Sequence, residues 1–577
     1  MKTTKMFLAA LFFGYAVLHA AEPPCVSGPQ RGKAVNQLID AASGTGKQAC
    51  EEPDIQLPEE QTSSIGQPDL SLPGNSADLT LKDTSVSGDT QQNETDIPSS
   101  ANPSSQTMQG DSTGQAAGQV VPEGGQPPQP PQGHKESFWG KIKRFFGYVA
   151  IAFNAAIAHI QDTLINPLPS LNVISEKAVQ AVTGAAPSML GEQGFTSEFE
   201  QLTNSRFTDN NSVKFLAGGP EAFPMKDRLM RQAKKNIYVT TYSFHDDITG
   251  HETANILAEK KKEGLDVKVI TDYKVAYSYG HSVFPIMSAG GVEILYYREL
   301  KRRGDFWHAK MLITDDEYAI VGGMNYGDPY SHKDPDGEKW RDFDVVYWGP
   351  AVLETKKIFA NAWNSRIDQE SLALTRVDAS KTENRDFEPG NAKIAVVFQD
   401  PPDNSYVLLS ILKGIYGARS RVNIANSYFI AIPAVKQAVI DARKRGVEIN
   451  ILTNSSKSID KEAQDTVIPI VRSLAQIYDT GVNIYLSQDV NMHGKFMTVD
   501  GIYANIGSYN LHPRGERYDT ELNVSVIDRD SVPQLDSAFE SDISRAKKVT
   551  TPEDLKIEWS FRSMVSSIIE HFFFILL

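Results

Sequence analysis

The sequence predicts an α/β protein in which one fold occurs twice, between about residues 206 and 548. In the first half, KKNIYVTTYSFHD, TANILAEKKKEG and DVKVITD have the patterns of a buried strand, a helix and a second buried strand. SRVNIANSYFI, PAVKQAVIDARKRG and VEINILTN repeat this order in the second half, and the two helices end at Gly264 and Gly446. Strands that alternate with helices are typical of right-handed βαβ units in a layered α/β domain.

Each half continues with a further strand, in SAGGVEILYYR or YDTGVNIYLSQ, and then with an eight-residue motif. The motif is HAKMLITD at residues 308–315 and HGKFMTVD at residues 493–500. Residues two apart on a strand share a face, so that histidine and lysine of each motif point the same way. We therefore expect the first half to span residues 206–370 and the second to span residues 391–548, with one histidine–lysine pair in each.

Both motifs end in an aspartate at a predicted turn, Asp315 and Asp500. An aspartate at a turn accepts hydrogen bonds from turn amides, which gives these residues a structural explanation. Their fixed place in a repeated motif also makes them candidates for the catalytic set. We include them in that set as an expectation.

Further polar residues recur after each motif. Asn325 and Asn510 end the segments AIVGGMN and ANIGSYN, where their amides are free to hold an oxyanion. RDFDVVY and TELNVSV place Asp342 and Glu521 at matching positions. A carboxylate is the usual partner for the second nitrogen of a working imidazole.

If the two halves meet face to face, their side chains form one site with two imidazoles, two ammonium groups, two amides and two carboxylates. In-line displacement at phosphorus needs a neutral imidazole to attack and a protonated one to donate to the leaving oxygen. Two lysines neutralise the charge on the phosphoryl oxygens, so the sequence predicts neither a metal nor a cofactor.

These motifs resemble those of the phospholipase D superfamily, whose members carry two HxKxxxxD motifs in a duplicated α/β fold, and the likeness is closest to its bacterial phospholipase D and cardiolipin synthase group. The resemblance implies phosphodiester exchange through a phosphohistidine, with His308 as nucleophile and His493 as proton donor and acceptor. It implies no cofactor. The residues that it implies for holding the phosphoryl oxygens or orienting the imidazoles are Lys310, Lys495, Asn325, Asn510, Asp342 and Glu521.

The N-terminal part of the chain has a different composition. Residues 1–21, with two lysines before an apolar run, have the pattern of a signal peptide, which predicts export to a periplasmic, membrane-associated or secreted location. Residues 22–135, rich in Pro, Gln, Ser and Gly, are typical of a disordered tether. Cys25 and Cys50 could form a disulfide in an exported protein.

Two segments beside the duplicated region are apolar and aromatic. Residues 136–205 begin with ESFWGKIKRFFGYVA, and residues 549–577 end in FFFILL. The pattern predicts helices, and it fits both an interfacial helix on a membrane and a helix packed on the protein body. The apolar runs are too short to span a bilayer in the usual way.

The sequence thus predicts an exported phosphodiesterase that hydrolyses or transphosphatidylates phospholipid head groups at a membrane surface. The alternatives are a nuclease and a secreted interaction protein with secondary or no catalysis. A net charge of −15 argues against a nucleic-acid partner. Because both motifs are in one chain, the site does not require an oligomer.

Overall fold

The computed structural model describes residues 170–184, 186–298, 305–380, 388–461 and 463–557. The predicted signal peptide and tether lie outside these residues, as do residues 558–577 of the predicted C-terminal helix and the first part of the 136–205 segment. No helix among the described residues has both the length and the apolar character that a membrane span requires.

The strands of the first half precede residue 350. They are β1 (Thr208–Leu216), β2 (Asn236–Thr241), β3 (Asp266–Asp272), β4 (Glu293–Tyr297), β5 (Phe306–Trp307), β6 (Met311–Thr314), β7 (Tyr318–Gly322) and β8 (Asp344–Trp348). Those of the second half are β9 (Ala392–Gln399), β10 (Arg421–Asn426), β11 (Glu448–Thr453), β12 (Asn483–Leu486), β13 (Lys495–Val499), β14 (Tyr503–Gly507), β15 (Asp519–Ile527) and β16 (Lys547–Lys548).

Helices connect and cover these strands. As far as residue 370 they are α1 (Leu171–Thr183), α2 (Gly194–Thr203), α3 (Gly219–Gln232), α4 (Ile248–Lys262), α5 (Tyr273–Tyr279), α6 (Val283–Ala289), α7 (Asp328–Ser331) and α8 (Ala351–Glu370). Later helices are α9 (Tyr406–Gly417), α10 (Pro433–Lys444), α11 (Val467–Tyr478), α12 (Pro513–Arg517) and α13 (Val532–Arg545), with 3₁₀ turns at Gln464–Thr466 and Pro552–Leu555.

The strand order shows the duplication directly. β1 and β9 pair antiparallel at the junction of the halves. Outward from this pair the first half runs β1-β8-β7-β6-β2-β3-β4 and the second runs β9-β15-β14-β13-β10-β11-β12. In both halves the last three strands are parallel and the others antiparallel. The predicted duplicated α/β fold is therefore confirmed, and β5 and β16 are additions to it.

The halves are held together by an apolar core that both of them line. Phe343 and Phe496, one from each half, have ring centroids 4.6 Å apart. Each phenylalanine directly follows a predicted site residue, Asp342 or Lys495. A Cβ atom at Gly494 would lie 2.7 Å from the Phe343 ring, so this glycine permits the close approach. The packing that joins the halves thus also positions the site.

Candidate active site

Each motif histidine is positioned by a segment that crosses to the opposite half. β5 leads into His308 and pairs with β15, and the amide of His308 donates to the carbonyl of Thr520 at 3.2 Å. In the other direction, Met492 pairs with Arg341, whose carbonyl accepts the amide of His493 at 2.7 Å. Each motif histidine is therefore held by a backbone hydrogen bond to the half of the chain to which it does not belong.

The carboxylates are exchanged in the same way. Nδ1 of His308 lies 3.0 Å from both carboxylate oxygens of Glu521 in the second half. Nδ1 of His493 lies 2.6 Å from Oδ2 of Asp342 in the first half. The sequence could not tell which carboxylate serves which histidine. With Nδ1–H donating to a carboxylate, Nε2 is the ring nitrogen available for chemistry, and Nε2 of His493 lies 3.3 Å from Nζ of Lys495.

The two lysines are buried and held by their own motifs. Lys310 Nζ donates to the carbonyl of His308 at 2.6 Å. Lys495 Nζ donates to the carbonyl of His493 and, at 3.0 Å, to Oγ of Ser427. Burial lowers the pKa of Lys310 to about 7 and that of Lys495 to about 8, although nearby carboxylates oppose the shift. A bound phosphate anion would therefore favour the charged form of both lysines.

The two imidazoles differ in their electrostatic surroundings. Burial, followed by the charges of Lys310 and Lys495, lowers the pKa of His308 well below its usual value. Burial and then the charge of Lys495 also lower the pKa of His493, and the charge and hydrogen bond of Asp342 partly oppose this shift. His308 is thus neutral in the free protein. The charge of His493 is a further cause of the His308 shift, so groups of both halves act within one site.

The two asparagines lie beside the site in different bonding states. Asn325 Nδ2 donates to the hydroxyl of Tyr330 at 2.9 Å, and its Oδ1 accepts from Thr241 Oγ1 at 3.1 Å. The amide of Asn325 is thus partly engaged, because one of its two N–H donors bonds to Tyr330, and its contact with a phosphoryl oxygen stays a prediction. Asn510 is also buried, and its Oδ1 has no hydrogen-bond partner among the described residues. This free atom is an acceptor, so a contact of Asn510 with a phosphoryl oxygen would have to come from its Nδ2–H groups.

The motif aspartates are not part of this site. Asp315 accepts the amides of Lys235 and its neighbours at 2.7–3.3 Å, and Asp500 accepts those of residues 419–421 at 2.8 Å. Both have positive φ, 55° and 53°, at the turn after the motif strand. Each is the seventh residue after its histidine, roughly 20 Å away along an extended chain. The catalytic assignment of Asp315 and Asp500 is corrected: they fix the turn to the start of β2 or β10.

Aromatic side chains around the histidines were not identified from the sequence. The ring centroid of Tyr242 is 5.3 Å from that of His308. Tyr330 and Trp340 lie 5.2 and 5.4 Å from His493. Tyr242 could have been inferred from its place at the end of a buried strand. Tyr330 lies in the four-residue helix α7 and Trp340 in the irregular segment after it, and neither is long enough to give a periodic signal. Among the described residues, no group of three or more metal-ligating side chains is assembled.

Comparisons with known proteins agree with this geometry. The family model "Cardiolipin synthase, PLD-like domain" matches residues 227–359 and again residues 411–543. Cardiolipin synthase A of Pseudomonas syringae pv. syringae (strain B728a) is 28% identical over 366 residues, which are 61% of this chain and 73% of that protein. The probable cardiolipin synthase YwiE of Bacillus subtilis (strain 168) is 24% identical over 429 residues, 71% of this chain and 83% of that protein.

A solved structure supports the fold. The phosphatidylserine synthase of Haemophilus influenzae Rd KW20 matches 65% of this chain and 97% of its own, with 18% identity and a TM-score of 0.54. The chain belongs to the phospholipase D superfamily, as its two HxKxxxxD motifs predicted. It is an enzyme of the phosphodiesterase and phosphatidyltransferase type.

Proposed function

We propose that the enzyme transfers the phosphatidyl group of a phospholipid to an alcohol or to water, through a phosphohistidine on His308. The observation that carries this proposal is the exchange of carboxylates between the halves. Each imidazole of the site is held at Nδ1 by a buried carboxylate of the opposite half, so both Nε2 atoms are left for the same phosphorus. The names of the relatives, cardiolipin synthases, support a phospholipid as the substrate.

In the first step, Nε2 of neutral His308 attacks phosphorus and forms a phosphorus–nitrogen bond. The bond from phosphorus to the head-group oxygen breaks, and that oxygen takes the proton of His493 Nε2. The depressed pKa of His308 favours its role as nucleophile because the lone pair is free. Asp342, 2.6 Å from His493 Nδ1, stabilises the protonated imidazole that acts as the acid.

In the second step, His493 is neutral and takes a proton from the incoming alcohol or water. The oxygen of that acceptor attacks phosphorus, and the phosphorus–nitrogen bond to His308 breaks. An alcohol gives a new phospholipid and water gives phosphatidic acid. Lys310, Lys495 and Asn510 contact the non-bridging oxygens, where charge develops in both steps.

The proposal includes export, which rests on the signal-peptide pattern of residues 1–21. We expect the mature enzyme to begin near Glu22 and to act at a membrane surface. N-terminal sequencing of enzyme recovered outside the cytoplasm tests this part separately. An intact Met1 in that fraction would contradict cleavage.

The activity is tested with vesicles of labelled phosphatidylglycerol or phosphatidylethanolamine, with and without a primary alcohol. We expect phosphatidic acid without alcohol and a phosphatidyl alcohol in its presence. His308→Ala should abolish both products, and His281→Ala, at an exposed position, should retain them with the same circular dichroism spectrum. Cleavage of single-stranded DNA without any phosphatidyl product would overturn the proposal in favour of a nuclease.

A further inference from the structure

The proposed mechanism places the leaving head group on one side of the site. His493 gives its proton to the head-group oxygen, so the head group lies beside His493 and away from His308. The acceptor alcohol later enters the same place, because His493 also removes its proton. Residues around His493 therefore select the head group and the acceptor.

Aromatic rings form one wall of this region. The centroid of the Trp340 ring lies 5.4 Å from His493 at 31°, and Tyr330 lies 5.2 Å from it at 81°. Tyr330 and Trp340 contact each other at 4.9 Å and 70°, so their faces meet at an angle. No lysine or arginine among the described residues occupies the face of either ring. Ring faces arranged in this way attract a positively charged group.

A carboxylate completes the region. Asp460 Oδ2 accepts from the hydroxyl of Tyr428 at 3.2 Å, and Oδ1 accepts from the amide of Ala463 at 2.8 Å. No described lysine or arginine forms an ion pair with Asp460. Its Oδ2 also accepts from Nδ2 of Asn491, two residues before His493, at 3.5 Å. Burial lowers the pKa of Lys495, and the charge of Asp460 opposes that shift. The carboxylate therefore acts on the region next to His493.

The side of the site next to His308 has the opposite character. There the ring of Phe306, 5.5 Å from that of Tyr242, is covered by the chain's own cations: Arg514 lies 4.0 Å and Lys274 5.2 Å from the Phe306 centroid. Near His493 no described lysine or arginine lies over the rings of Tyr330 and Trp340, and the carboxylate of Asp460 lies beside them. The two sides of the pseudo-symmetric site thus differ: the side next to His308 presents cations, and the side next to His493 presents aromatic rings and a carboxylate.

From this geometry we infer that the rim formed by Trp340, Tyr330, Tyr428 and Asp460 binds a positively charged amino-alcohol, such as an ethanolamine head group. The inference rests on the proposed function, which it makes more specific. The ammonium group lies against the aromatic faces and near Asp460, while its oxygen receives the proton of His493. The enzyme therefore prefers an amine-bearing phospholipid to phosphatidylglycerol.

The test compares kcat/KM for phosphatidylethanolamine and phosphatidylglycerol in matched vesicles, and uses their ratio. We expect a ratio above one for the wild-type enzyme. Asp460→Asn should lower the ratio by about tenfold, the change expected when one partly desolvated charge contact is lost. The ratio does not depend on the fraction of correctly folded enzyme. Asp489→Asn removes an exposed carboxylate from the loop before His493 and should leave the ratio unchanged.

Two results would overturn the inference while the proposed function stands. One is turnover of both lipids with a wild-type ratio of one or less. The other is a ratio that Asp460→Asn leaves at the wild-type value, which would mean that Asp460 acts only on the position or charge of Lys495. Absence of phosphatidyl products from both lipids would instead refute the proposed function, and the inference with it.

Discussion

The two halves of the enzyme are alike in the backbone contacts that hold the histidines and different in the side chains around the lysines. Both motif histidines donate their backbone amides to carbonyls of the opposite half, and both take a carboxylate from it. Lys310, however, lies 5.6 Å from the centroid of the Tyr242 ring, whereas Lys495 donates to the hydroxyl of Ser427. The shared contacts build one site, and the differing contacts let its two imidazoles act differently.

A second difference between the halves is the residue that pairs with the glycine at the end of β7 or β14. Asp344 opposes Gly322 across β7 and β8, and it forms a buried ion pair with Lys226 at 2.8 Å. At the matching place Asn523 opposes Gly507, and its amide donates to Asn505 Oδ1 at 2.7 Å. A Cβ at either glycine would come within 2.3 Å of the neighbouring side-chain oxygen. The packing geometry is thus shared, but the charge is not.

The catalytic roles of the two halves are distinguished by replacing each histidine in turn and by varying the leaving group of the substrate. On phospholipid, His308→Ala and His493→Ala should each lower kcat by about 10⁴-fold, since each step needs both imidazoles. A nitrophenyl phosphodiester needs no proton on its leaving oxygen. We expect His493→Ala to release nitrophenol from it in a burst, while His308→Ala remains inactive in stopped-flow absorbance. A burst in His308→Ala would reverse the assignment.

The next largest effect on kcat is expected from replacing the carboxylate that each half supplies to the histidine of the other half. Glu521→Gln should impair His308 and Asp342→Asn should impair His493, each by on the order of 10³-fold in kcat, because the imidazole loses its orienting partner. Single-turnover kinetics distinguish them. The nitrophenyl substrate should rescue the first step of Asp342→Asn and not that of Glu521→Gln. Rescue of Glu521→Gln alone would mean that each carboxylate serves the histidine of its own half.

The pH dependence follows from the direction of each shift. A lysine is charged below its pKa, and His493 acts as the acid only below its own pKa, which burial lowers. The value of kcat/KM should therefore decline with rising pH as His493 loses its proton, and decline further through 7 and 8, the values for Lys310 and Lys495. The fall should reach about tenfold or more per pH unit above 8. Because the pKa of His308 is lowered, the neutral nucleophile persists below pH 6.5 and no acid limb is expected there. A rate that is constant from pH 7 to 9 would contradict the lysine assignments.

The smallest effect on catalysis is expected at the motif aspartates. Asp315→Asn and Asp500→Asn keep a side chain that tolerates positive φ but weaken the hydrogen bonds to the turn amides. Each should lower the free energy of unfolding by about 1–3 kcal/mol in urea denaturation. The kcat of folded enzyme should stay within about twofold. A large loss of kcat at unchanged stability would return these aspartates to the catalytic set.

The sequence predicted the fold because the same order of buried strands, helices and glycine stops occurs twice. It also identified the residues that the site brings together, since the alternation of a strand places His308 beside Lys310 and His493 beside Lys495. The sequence could not predict the pairing between the halves, such as that of His308 with Glu521. Such contacts depend on how the two halves pack against each other, and one sequence contains no signal for that.

The error at the motif aspartates and the missed contact of Asn325 have a common physical origin. Asp315 and Asp500 belong to the motif by spacing, but a strand carries its last residue far from its first. Asn325 bonds to Tyr330, which lies in the four-residue helix α7, too short for a periodic signal in the sequence. Spacing along a strand therefore predicts which side chains share a face, but not which hydrogen bonds they make.

The central claim is that both halves form a single site in which His308 carries the phosphatidyl group. It is tested most directly by quenching the enzyme in alkali during turnover of labelled lipid and mapping the label by mass spectrometry after trypsin digestion. The label should be found on GDFWHAK, residues 304–310, and be absent from His308→Ala. Label on the peptide that contains His493, or no labelled histidine in a turning-over enzyme, would contradict the claim.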